Sequence, residues 1–454
     1  MKKIRIGAGS GYWGAELHQS SRLAAEGNLD YLCFDLLAEL TMSLLERIRQ
    51  KDATKGYVPD VVPQTVANLQ HVRDKGLKLI SNGGGVNCAG AAAAISAAAA
   101  KEGKGGFKLA TVSGDDVTGK LDQLIAQGWV FKNLDTGDEN FSAIRDRVVS
   151  ANAYIGADGI IQALHGGADV VIAGRVSDNA LYVGPIMKEF GWAYDNEHVD
   201  RVAFAIAIGH IIECAELCCG GMTNLWETVP EPWNIGFPIA TVSEDGSAEI
   251  EKLPGTGGVI NGWTIKEHLV YEVHDPRRYL MPDGVADLTS VQLVETGKDR
   301  VRISGVRGAS RPDTLKVQIG YHDGFIAEGL YIQCGPRVLA KTESAKTLYL
   351  NLLRRIGVNP IDIRFDRIGV DALSGNVFED PPEDSLREVG LRIAVRTRTR
   401  QEAIAARAEM LRVTLYGPVG VGWGAPPAVR PVISLWPTLI PRDAVQTDVQ
   451  LMKV

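Results

Sequence analysis

The chain has 454 residues, of which 23% are charged, and a formal net charge of -7; this describes an ordinary globular protein with room for two or three domains. It has no polybasic run and no basic stretch rich in aromatic residues, so nucleic acid and anionic membranes are not expected partners. No apolar run is long enough to cross a membrane, and the six cysteines form no CxxC pair, so we expect a cytoplasmic protein with reduced thiols.

The first predicted strand, residues 4–6, runs into the glycine-rich segment GAGSGYWG at residues 7–14. Glycine lets a ligand approach the backbone closely, and the spacing resembles a dinucleotide-binding fingerprint. The match is incomplete, because Trp13 places a ring inside the loop and no acidic residue closes a second strand at the expected distance. A tight turn and a phosphate-binding loop both stay open here.

The second strand ends at Asp35, ahead of a helical pattern from Leu36 to Gln50. On a helix, Asp35 and Glu39 would lie one turn apart and share a face. They are candidates for acid–base catalysis, with Asp35 as a catalytic residue, or for holding a cation such as Mg²⁺. The alternative is a carboxylate favoured by the helix dipole beside a solvated glutamate.

A glycine-rich turn, NGGGVN at residues 82–87, follows the third strand. The amides of Gly84 and Gly85 could form an anion-binding nest before the alanine-rich helix that comes next. Asn87 would cap that helix or bond a ligand carbonyl. These three are candidate substrate-binding residues, while Cys88 is interpreted as a small apolar filler rather than a nucleophile.

Two further strands end in polar residues. The fourth, residues 107–112, leads to Asp115 and Asp116, and adjacent acids after a glycine turn either cap a helix or ligate a hard cation. The fifth strand, residues 148–155, carries Asn152 and Tyr154. Parallel strands present their carboxyl ends at one edge, so Asp115, Asn152 and Tyr154 join the candidate substrate-binding residues.

The sixth strand, residues 168–174, is short, apolar and rich in β-branched residues, which is typical of a strand buried on both faces. Arg175 follows it directly, and Asp178 is a good residue to begin the next helix. We predict that Arg175 holds a substrate carboxylate and that Asp178 moves a proton. The alternative is a strand-to-helix turn whose arginine pairs with a neighbouring carboxylate.

The repeated strand–turn–helix rhythm predicts an α/β domain, residues 1–229, with a mostly parallel sheet and helices on both faces. After Pro230 the pattern changes to hairpins near residues 239–250 and 291–306, followed by alternating strands and helices. This part is predicted to be an α+β domain, residues 230–454. Its glycine turn, with Gly257 and Gly258, is a further candidate for substrate binding.

A long helical pattern, residues 201–219, carries His210 and Glu213 on one face. His210 is a candidate general base polarised by Glu213, and a buried core histidine is the alternative. A metal site made of His210, Glu213 and Cys218 lacks a second ligand pair in the sequence. The sequence requires no cofactor and leaves any metal unknown, with Mg²⁺ as the one considered.

Several motifs of this sequence, taken together in chain order, resemble the acyclic terpene utilisation A (AtuA) family. They include IRIGAGSGYWG, FDLLAELTM, SNGGGVN, ANAYIGADGI, GADVVIAGRVSDNAL and PGTGG. The resemblance implies a catabolic role on acyl-CoA or on branched or hydroxy carboxylate intermediates. Members of the family often carry, or are encoded beside, a ferredoxin-like domain. We expect the chain to lack that domain, so the resemblance implies a small ferredoxin-like partner protein.

Two functions follow from these patterns. The first is a lyase or hydratase that acts on a small anionic substrate, a CoA thioester included, in a homo-oligomer. The second is a non-catalytic scaffold or regulatory subunit of a degradation complex, which would expose a wide apolar patch instead of a polar cleft.

Overall fold

The computed structural model describes residues 1–454 apart from the side chain of Asn376. The strands are β1 Lys3–Ser10, β2 Tyr31–Phe34, β3 Lys78–Ser81, β4 Lys108–Ser113, β5 Val148–Ala153, β6 Val170–Ala173, β7 Pro238–Ser243, β8 Ser247–Lys252, β9 Tyr279–Met281, β10 Gly284–Asp287, β11 Gln292–Gly297, β12 Arg300–Ser304, β13 Arg307–Ala309, β14 Thr314–Cys334, β15 Asp362–Ile368, β16 Glu388–Thr397, β17 Val421–Pro441 and β18 Asp448–Lys453. The α-helices are α1 Leu17–Glu26, α2 Thr41–Arg49, α3 Val61–Lys75, α4 Cys88–Lys101, α5 Leu121–Ala126, α6 Asp158–His165, α7 Ala180–Phe190, α8 Val199–Ile212, α9 Gly262–Leu269, α10 Val338–Arg355 and α11 Arg400–Tyr416.

The chain forms two compact units. The larger unit comprises Met1–Gly320 and Leu435–Val454, and the smaller one comprises Tyr321–Ser434. This division differs from the predicted boundary after residue 229. The hairpin of β7 and β8 belongs to the larger unit because β7 pairs with β1 along its length, from Lys3 to Gly7.

The larger unit is built on a ten-stranded sheet in the order β11-β12-β8-β7-β1-β2-β3-β6-β4-β18. The α/β class is confirmed, but a mostly parallel sheet is wrong. Only the central strands β1, β2, β3, β6 and β4 run parallel to their neighbours, and every strand added outside them pairs antiparallel. Strands β7 and β8, and likewise β11 and β12, are joined by tight turns and therefore pair antiparallel, since parallel neighbours need a long crossover.

Both faces of the parallel centre are covered. Every residue of β2 and of β6 is buried, as continuous apolar strands between two layers should be. The helices fall into two series of neighbours, α1 with α3 and α4, and α6 with α7 and α8. Helix α4 follows β3 and belongs to the first series, whereas α7 follows β6 and belongs to the second.

Strands β3 and β6 are neighbours in the sheet, but the helices that follow them belong to opposite layers. This is the topological switch point of a doubly wound sheet, where the outgoing loops diverge and leave a crevice at the carboxyl ends of the strands. Ligands of open α/β sheets bind in that crevice. The segments that border it are residues 35–40, 82–87 and 174–179.

Three local predictions are corrected. The fifth predicted strand exists as β5 but lies outside the main sheet and pairs with β14. The helix predicted from Leu36 begins only at Thr41. The helix predicted to reach Cys219 ends at Ile212, and Ala215 adopts a positive φ of 40°, which an α-helix does not allow.

The smaller unit has the connectivity β14-α10-β15-β16-α11-β17 and the strand order β15-β16-β14-β17. This β-α-β-β-α-β arrangement is the ferredoxin-like fold. Tyr331, Tyr349, Ile393 and Met410 are central members of its apolar core. The chain thus contains a ferredoxin-like unit, and the expectation that it lacks one is wrong. Within the described residues, no helix has both the length and the apolar character needed to cross a membrane.

Candidate functional site

Asp35 and Asn82 lie side by side because β2 and β3 are parallel neighbours that end in register, with Phe34 opposite Ser81. Asn82 Nδ2 donates to Asp35 Oδ1 at 2.6 Å, and Asn82 Oδ1 accepts from the backbone N–H of Leu36 at 2.8 Å. Both side chains are buried. Asp35 and Asn82, each the first residue after its strand, therefore hold each other in position.

Asp35 and Glu39 do not share a helical face, contrary to the prediction. The N–H of Leu36 is bonded to Asn82, and the carbonyl of Leu37 accepts from Arg175 Nη1 at 2.8 Å. Side chains from two other segments thus bind the backbone of residues 36 and 37, including the Leu37 carbonyl that a helix would have used internally. As a result Asp35 points into the buried cluster, whereas Glu39 is exposed.

Arg175 is 1% exposed and bonded through each of its guanidinium nitrogens. Nε donates to the carbonyl of Val176, Nη1 to that of Leu37, and Nη2 to the carboxylate of Asp178. The guanidinium also lies over the ring of Tyr154, 4.4 Å from its centroid. Arg175 therefore holds Asp178 and the segment after β2 in place. In this arrangement its guanidinium is not available to bind a substrate carboxylate through two nitrogens.

Three carboxylates, those of Asp35, Asp178 and Glu213, come within 4.8 Å of one another. Burial and then the charge of Asp178 raise the pKa of Asp35 to about 8, against the opposing charge of Arg175. Burial, Asp178 and Asp35 likewise raise the pKa of Glu213 well above its usual value. Like charges this close cannot all be ionised in a buried site, so this acidic cluster holds protons or a cation at neutral pH.

The open side of the acidic cluster is formed by Asp178 and Lys316. The side chain of Asp178 is 31% exposed, in contrast to Asp35 and Glu213. Lys316 Nζ lies 4.9 Å from the centroid of the Tyr154 ring, and its charge lowers the pKa of Asp178 against the larger effect of burial, which raises it. Among the described residues Lys316 makes no ion pair, which leaves a cation at the edge of the crevice.

Asp115 and Asn152 form a second buried pair, in which Asn152 Nδ2 donates to Asp115 Oδ2 at 2.8 Å. Burial raises the pKa of Asp115 to about 6. A Cβ at Gly174 would come 2.5 Å from Asp115 Oδ1, so the pair packs against the turn that carries Arg175. Asp116, by contrast, accepts from the N–H of Thr118 and acts as the local turn residue.

The glycine turn after β3 joins two strands tightly. The N–H of Gly84 donates to the carbonyl of Ala173 at 3.0 Å, and Gly85 has a positive φ of 52°. Asn87 caps α4 by accepting from the N–H of Gly90 at 2.9 Å, and its amide donates to the carbonyls of Ala53 and Lys55. The Gly84 amide is therefore already bonded within the protein, and Asn87 has a capping role.

Gly257 and Gly258 lie against a different segment. The N–H of Gly257 donates to the carbonyl of Asn234 and that of Gly258 to the carbonyl of Pro230, both at 2.7 Å. Their nearest neighbours are residues 219 and 231–235. These contacts fold the 230–236 loop and do not bring the two glycines to Arg175.

His210 belongs to a buried group with Glu213, His268 and Tyr279. Its Nδ1 lies 3.3 Å from the Tyr279 hydroxyl and 3.8 Å from Glu213 Oε1, and its ring centroid is 5.5 Å from that of His268. Burial and then His268 lower the pKa of His210 to about 3, and burial lowers that of His268 to about 4. Both rings are neutral at pH 7.

Two overlapping sets of residues could hold a metal ion, and Glu213 belongs to both. One consists of His210, Glu213 and His268, and the other of Asp35, Asp178 and Glu213. Cys218 is in neither set. The sequence analysis missed Asn82, His268, Tyr279 and Lys316 as members of the site. Asn82 had the same signal as its neighbours, a polar residue directly after a strand, whereas the other three lie in a region assigned to a separate domain.

The fold is that of an α/β protein with a doubly wound sheet, and its buried carboxylates lie beside the switch point, where ligands of such sheets bind. The family comparison agrees with the resemblance noted in the sequence. The model of the acyclic terpene utilisation family protein AtuA matches residues 4–451, so the chain belongs to this family and membership implies involvement in acyclic terpene utilisation. Neither the curated proteins nor the solved structures gave a significant match.

Proposed function

We propose that the protein is a lyase or hydratase that adds or removes water at a branched carboxylate or its CoA thioester. The observation that carries this proposal is the pair of carboxylates, Asp35 and Asp178, held at the switch point by Asn82 and Arg175. Reversible hydration moves one proton at carbon and one at oxygen, so it needs paired acid and base groups close together.

Asp178 is the group assigned to touch the substrate, since its side chain reaches the open side of the crevice. Arg175 fixes its orientation, which limits the geometries in which the carboxylate can approach a reacting atom. Asp35 lies behind it and within 4.8 Å, where it can exchange a proton with the cluster without leaving the protein interior.

Lys316 is assigned to the anionic end of the substrate. It is the cation at the edge of the crevice without an ion-pair partner among the described residues, and it is supported by the ring of Tyr154. Lys316 thus takes the role that the sequence suggested for Arg175, which was to bind the substrate carboxylate directly. The Arg175 nitrogens are instead bonded to Val176, Leu37 and Asp178.

The proposal is tested by incubating the full chain in D₂O with branched unsaturated and 3-hydroxy acids, free and as CoA thioesters. Mass spectrometry reads gain or loss of water and deuterium incorporation at carbon. Asp178→Asn should lower the rate by about 100-fold or more, as expected when a general acid or base is removed. Lys316→Met should raise KM with little change in kcat, because it removes binding rather than proton transfer.

Asp195→Asn is the matched control, since Asp195 is exposed, pairs with His198 and lies outside the cluster. It should leave the rate unchanged. A folded wild-type protein that neither exchanges deuterium nor hydrates any compound of the panel contradicts the proposal, and so does an Asp178→Asn variant with full activity.

A second candidate is the scaffold or regulatory subunit, and one surface favours it. Met222, Trp226 and Trp263 are at least half exposed, and they surround the contact in which Asn224 donates to Glu267. Exposed aromatic residues are enriched where proteins bind one another. Size-exclusion chromatography of the wild type and of Trp226→Ser with Trp263→Ser tests it: an assembly that the wild type forms and the variant loses, in a protein without hydration activity, supports the scaffold, and unchanged assembly argues against it.

A further inference from the structure

The buried group at the end of α8 is too polar for its surroundings. His210, Glu213 and His268 are each at least 95% buried, and each offers a ligand atom within 4.8 Å of the other two. His210 and Glu213 come from one helix end, three residues apart, and His268 comes from α9, which packs on α8. Two imidazoles and a carboxylate are thus held together by rigid elements.

These histidines lack the partners that buried polar groups normally have. Nε2 of His210 and Nε2 of His268 are both buried without a hydrogen-bond partner among the described residues. Leaving a buried polar group without a partner is unfavourable, so two such groups in adjacent rings are a considerable penalty unless something else binds them. The Tyr279 hydroxyl lies 3.3 Å from Nδ1 of His210 and restrains the orientation of that ring.

We propose that His210, Glu213 and His268 bind a divalent transition-metal ion of the zinc class. Two imidazole nitrogens and one carboxylate oxygen form a ligand set that suits Zn²⁺, Co²⁺, Fe²⁺ or Mn²⁺ rather than Mg²⁺ or Ca²⁺, which prefer oxygen. Three protein ligands leave a coordination position open, as in catalytic rather than structural zinc sites.

The neighbouring set of Asp35, Asp178 and Glu213 is the competing location for a cation, and the bonds already made decide against it. Asp35 accepts from Asn82 and from the N–H of Leu37, and Asp178 accepts from Arg175. The Nε2 atoms of His210 and His268 have no hydrogen-bond partner among the described residues. Since Glu213 belongs to both sets, the ion would lie beside the acidic cluster, and on the proposed function it would polarise the substrate oxygen there.

The metal proposal is tested without turnover. Full-length protein, purified without a metal-affinity step, is stripped with EDTA, reloaded with Zn²⁺, Co²⁺ or Mg²⁺, desalted and measured by elemental mass spectrometry. We expect one Zn²⁺ or Co²⁺ per chain, no retained Mg²⁺, and a visible Co²⁺ spectrum typical of mixed nitrogen and oxygen ligands. Zn²⁺ should also raise the melting temperature of the stripped protein, because it binds only the folded form.

His268→Ala and His210→Ala each remove a direct ligand. Each should therefore weaken Zn²⁺ binding by more than the loss of a residue that only orients a ligand, which costs about 10–100-fold. His268→Gln serves if the alanine variant fails to fold, since it keeps most of the volume. His198→Ala is the control because His198 is a partly exposed histidine paired with Asp195 outside the group. Asp35→Asn should keep the metal.

Zinc-reloaded wild-type protein with no bound metal and no Co²⁺ spectrum overturns the proposal. Retention of Zn²⁺ by both His268 variants, or loss of it in Asp35→Asn but not in His268→Ala, also overturns it and favours the carboxylate set. These outcomes are separate from the lyase proposal, which fails only in the deuterium and hydration assays.

Discussion

The two units of the chain handle charge in opposite ways. In the ferredoxin-like unit, Glu328 accepts from Arg392 and Arg430 at 2.5 and 2.6 Å, and Asp366 pairs with Arg364 and Arg392 at 2.5 Å. This arginine–carboxylate ladder lies on partly exposed strands. In the larger unit, Asp35, Asp178 and Glu213 come within 4.8 Å of one another, and Asp178 pairs with the buried Arg175.

The difference is visible in the pKa values. Burial acts to raise the pKa of Asp366, but its bonds to Arg364 and Arg392 outweigh this and lower it. Burial and neighbouring carboxylates raise the pKa of Asp35 to about 8. Charge that is fully paired near solvent stabilises a fold modestly, whereas buried charge without enough partners is costly and marks a site that does something with it.

The largest expected contrast is between Arg175→Ala and Arg392→Ala. Removing Arg175 leaves the buried carbonyls of Leu37 and Val176 without partners and takes the counter-charge from the partly exposed Asp178, so it should cost about 3–5 kcal/mol. Arg392→Ala should cost about 1 kcal/mol or less, since its pairs are partly exposed. Urea unfolding of both variants measures the two losses. Equal losses of unfolding free energy in the two variants would mean that burial does not decide how much an ion pair contributes to stability here.

Much of the larger unit could be predicted because its signals are local. The buried strands are short apolar runs, and each ends in Asp, Asn or Arg, so the position of Asp35, Asp115 and Arg175 at strand ends follows from parallel pairing alone. The hairpins of β7 with β8 and of β11 with β12 were also readable from their turns.

The rest depended on contacts that no local pattern contains. Residues 36–40 have helical periodicity, yet Asn82 and Arg175 bind their backbone and prevent the helix. His268 joins His210 across 58 positions, with nothing in either segment to indicate the pairing. Pairing of β18 with β4 returns the chain's last strand to the first domain, which a boundary drawn from composition could not show.

The second contrast is in pH dependence. Burial raises the pKa of Asp283 to about 6 from the unfolded value of 3.8, so its contribution to stability is full below about pH 4 and is lost as the pH rises through 6. A shift of this size corresponds to about 3 kcal/mol between pH 4 and pH 7. Asp366, whose pKa is lowered, acts in the opposite sense and loses its contribution as the pH falls.

Asp283→Asn should therefore make the free energy of unfolding depend less on pH. Asparagine keeps the acceptor used by the N–H of Ala157 and the hydroxyl of Tyr194 but carries no charge. Urea midpoints at half-unit pH steps from 4 to 7 measure it. A wild-type and a variant protein with the same slope would show that Asp283 is not the titrating group.

The third contrast concerns packing at glycines. A Cβ on Gly84 would lie 2.7 Å from both the carbonyl of Ala173 and the Cys88 sulfur, whereas a Cβ on Gly422 of the ferredoxin-like unit meets nothing within 4 Å. Gly84→Ala should destabilise the larger unit by about 1–3 kcal/mol through overpacking. Gly422→Ala should be nearly neutral. Thermal unfolding of both tests this, and a neutral Gly84→Ala would mean that the β3–β6 junction can relax.

The smallest contrast compares two helix caps. Asn87 caps α4 in the larger unit and Thr399 caps α11 in the smaller one, each by accepting a backbone N–H of the first turn. Loss of either cap should cost about 1 kcal/mol. Asn87 also donates to the carbonyls of Ala53 and Lys55, so Asn87→Ala should exceed Thr399→Ala.

Asn87→Asp separates the two roles of Asn87, because aspartate keeps the acceptor for Gly90 and loses the amide donors. Its cost should fall between those of wild type and Asn87→Ala, and hydrogen exchange should show the 53–55 segment loosened while the first turn of α4 stays protected. If the aspartate and alanine variants lose equal stability, the bonds to the carbonyls of residues 53 and 55 account for the whole effect, and the cap contributes no measurable stability.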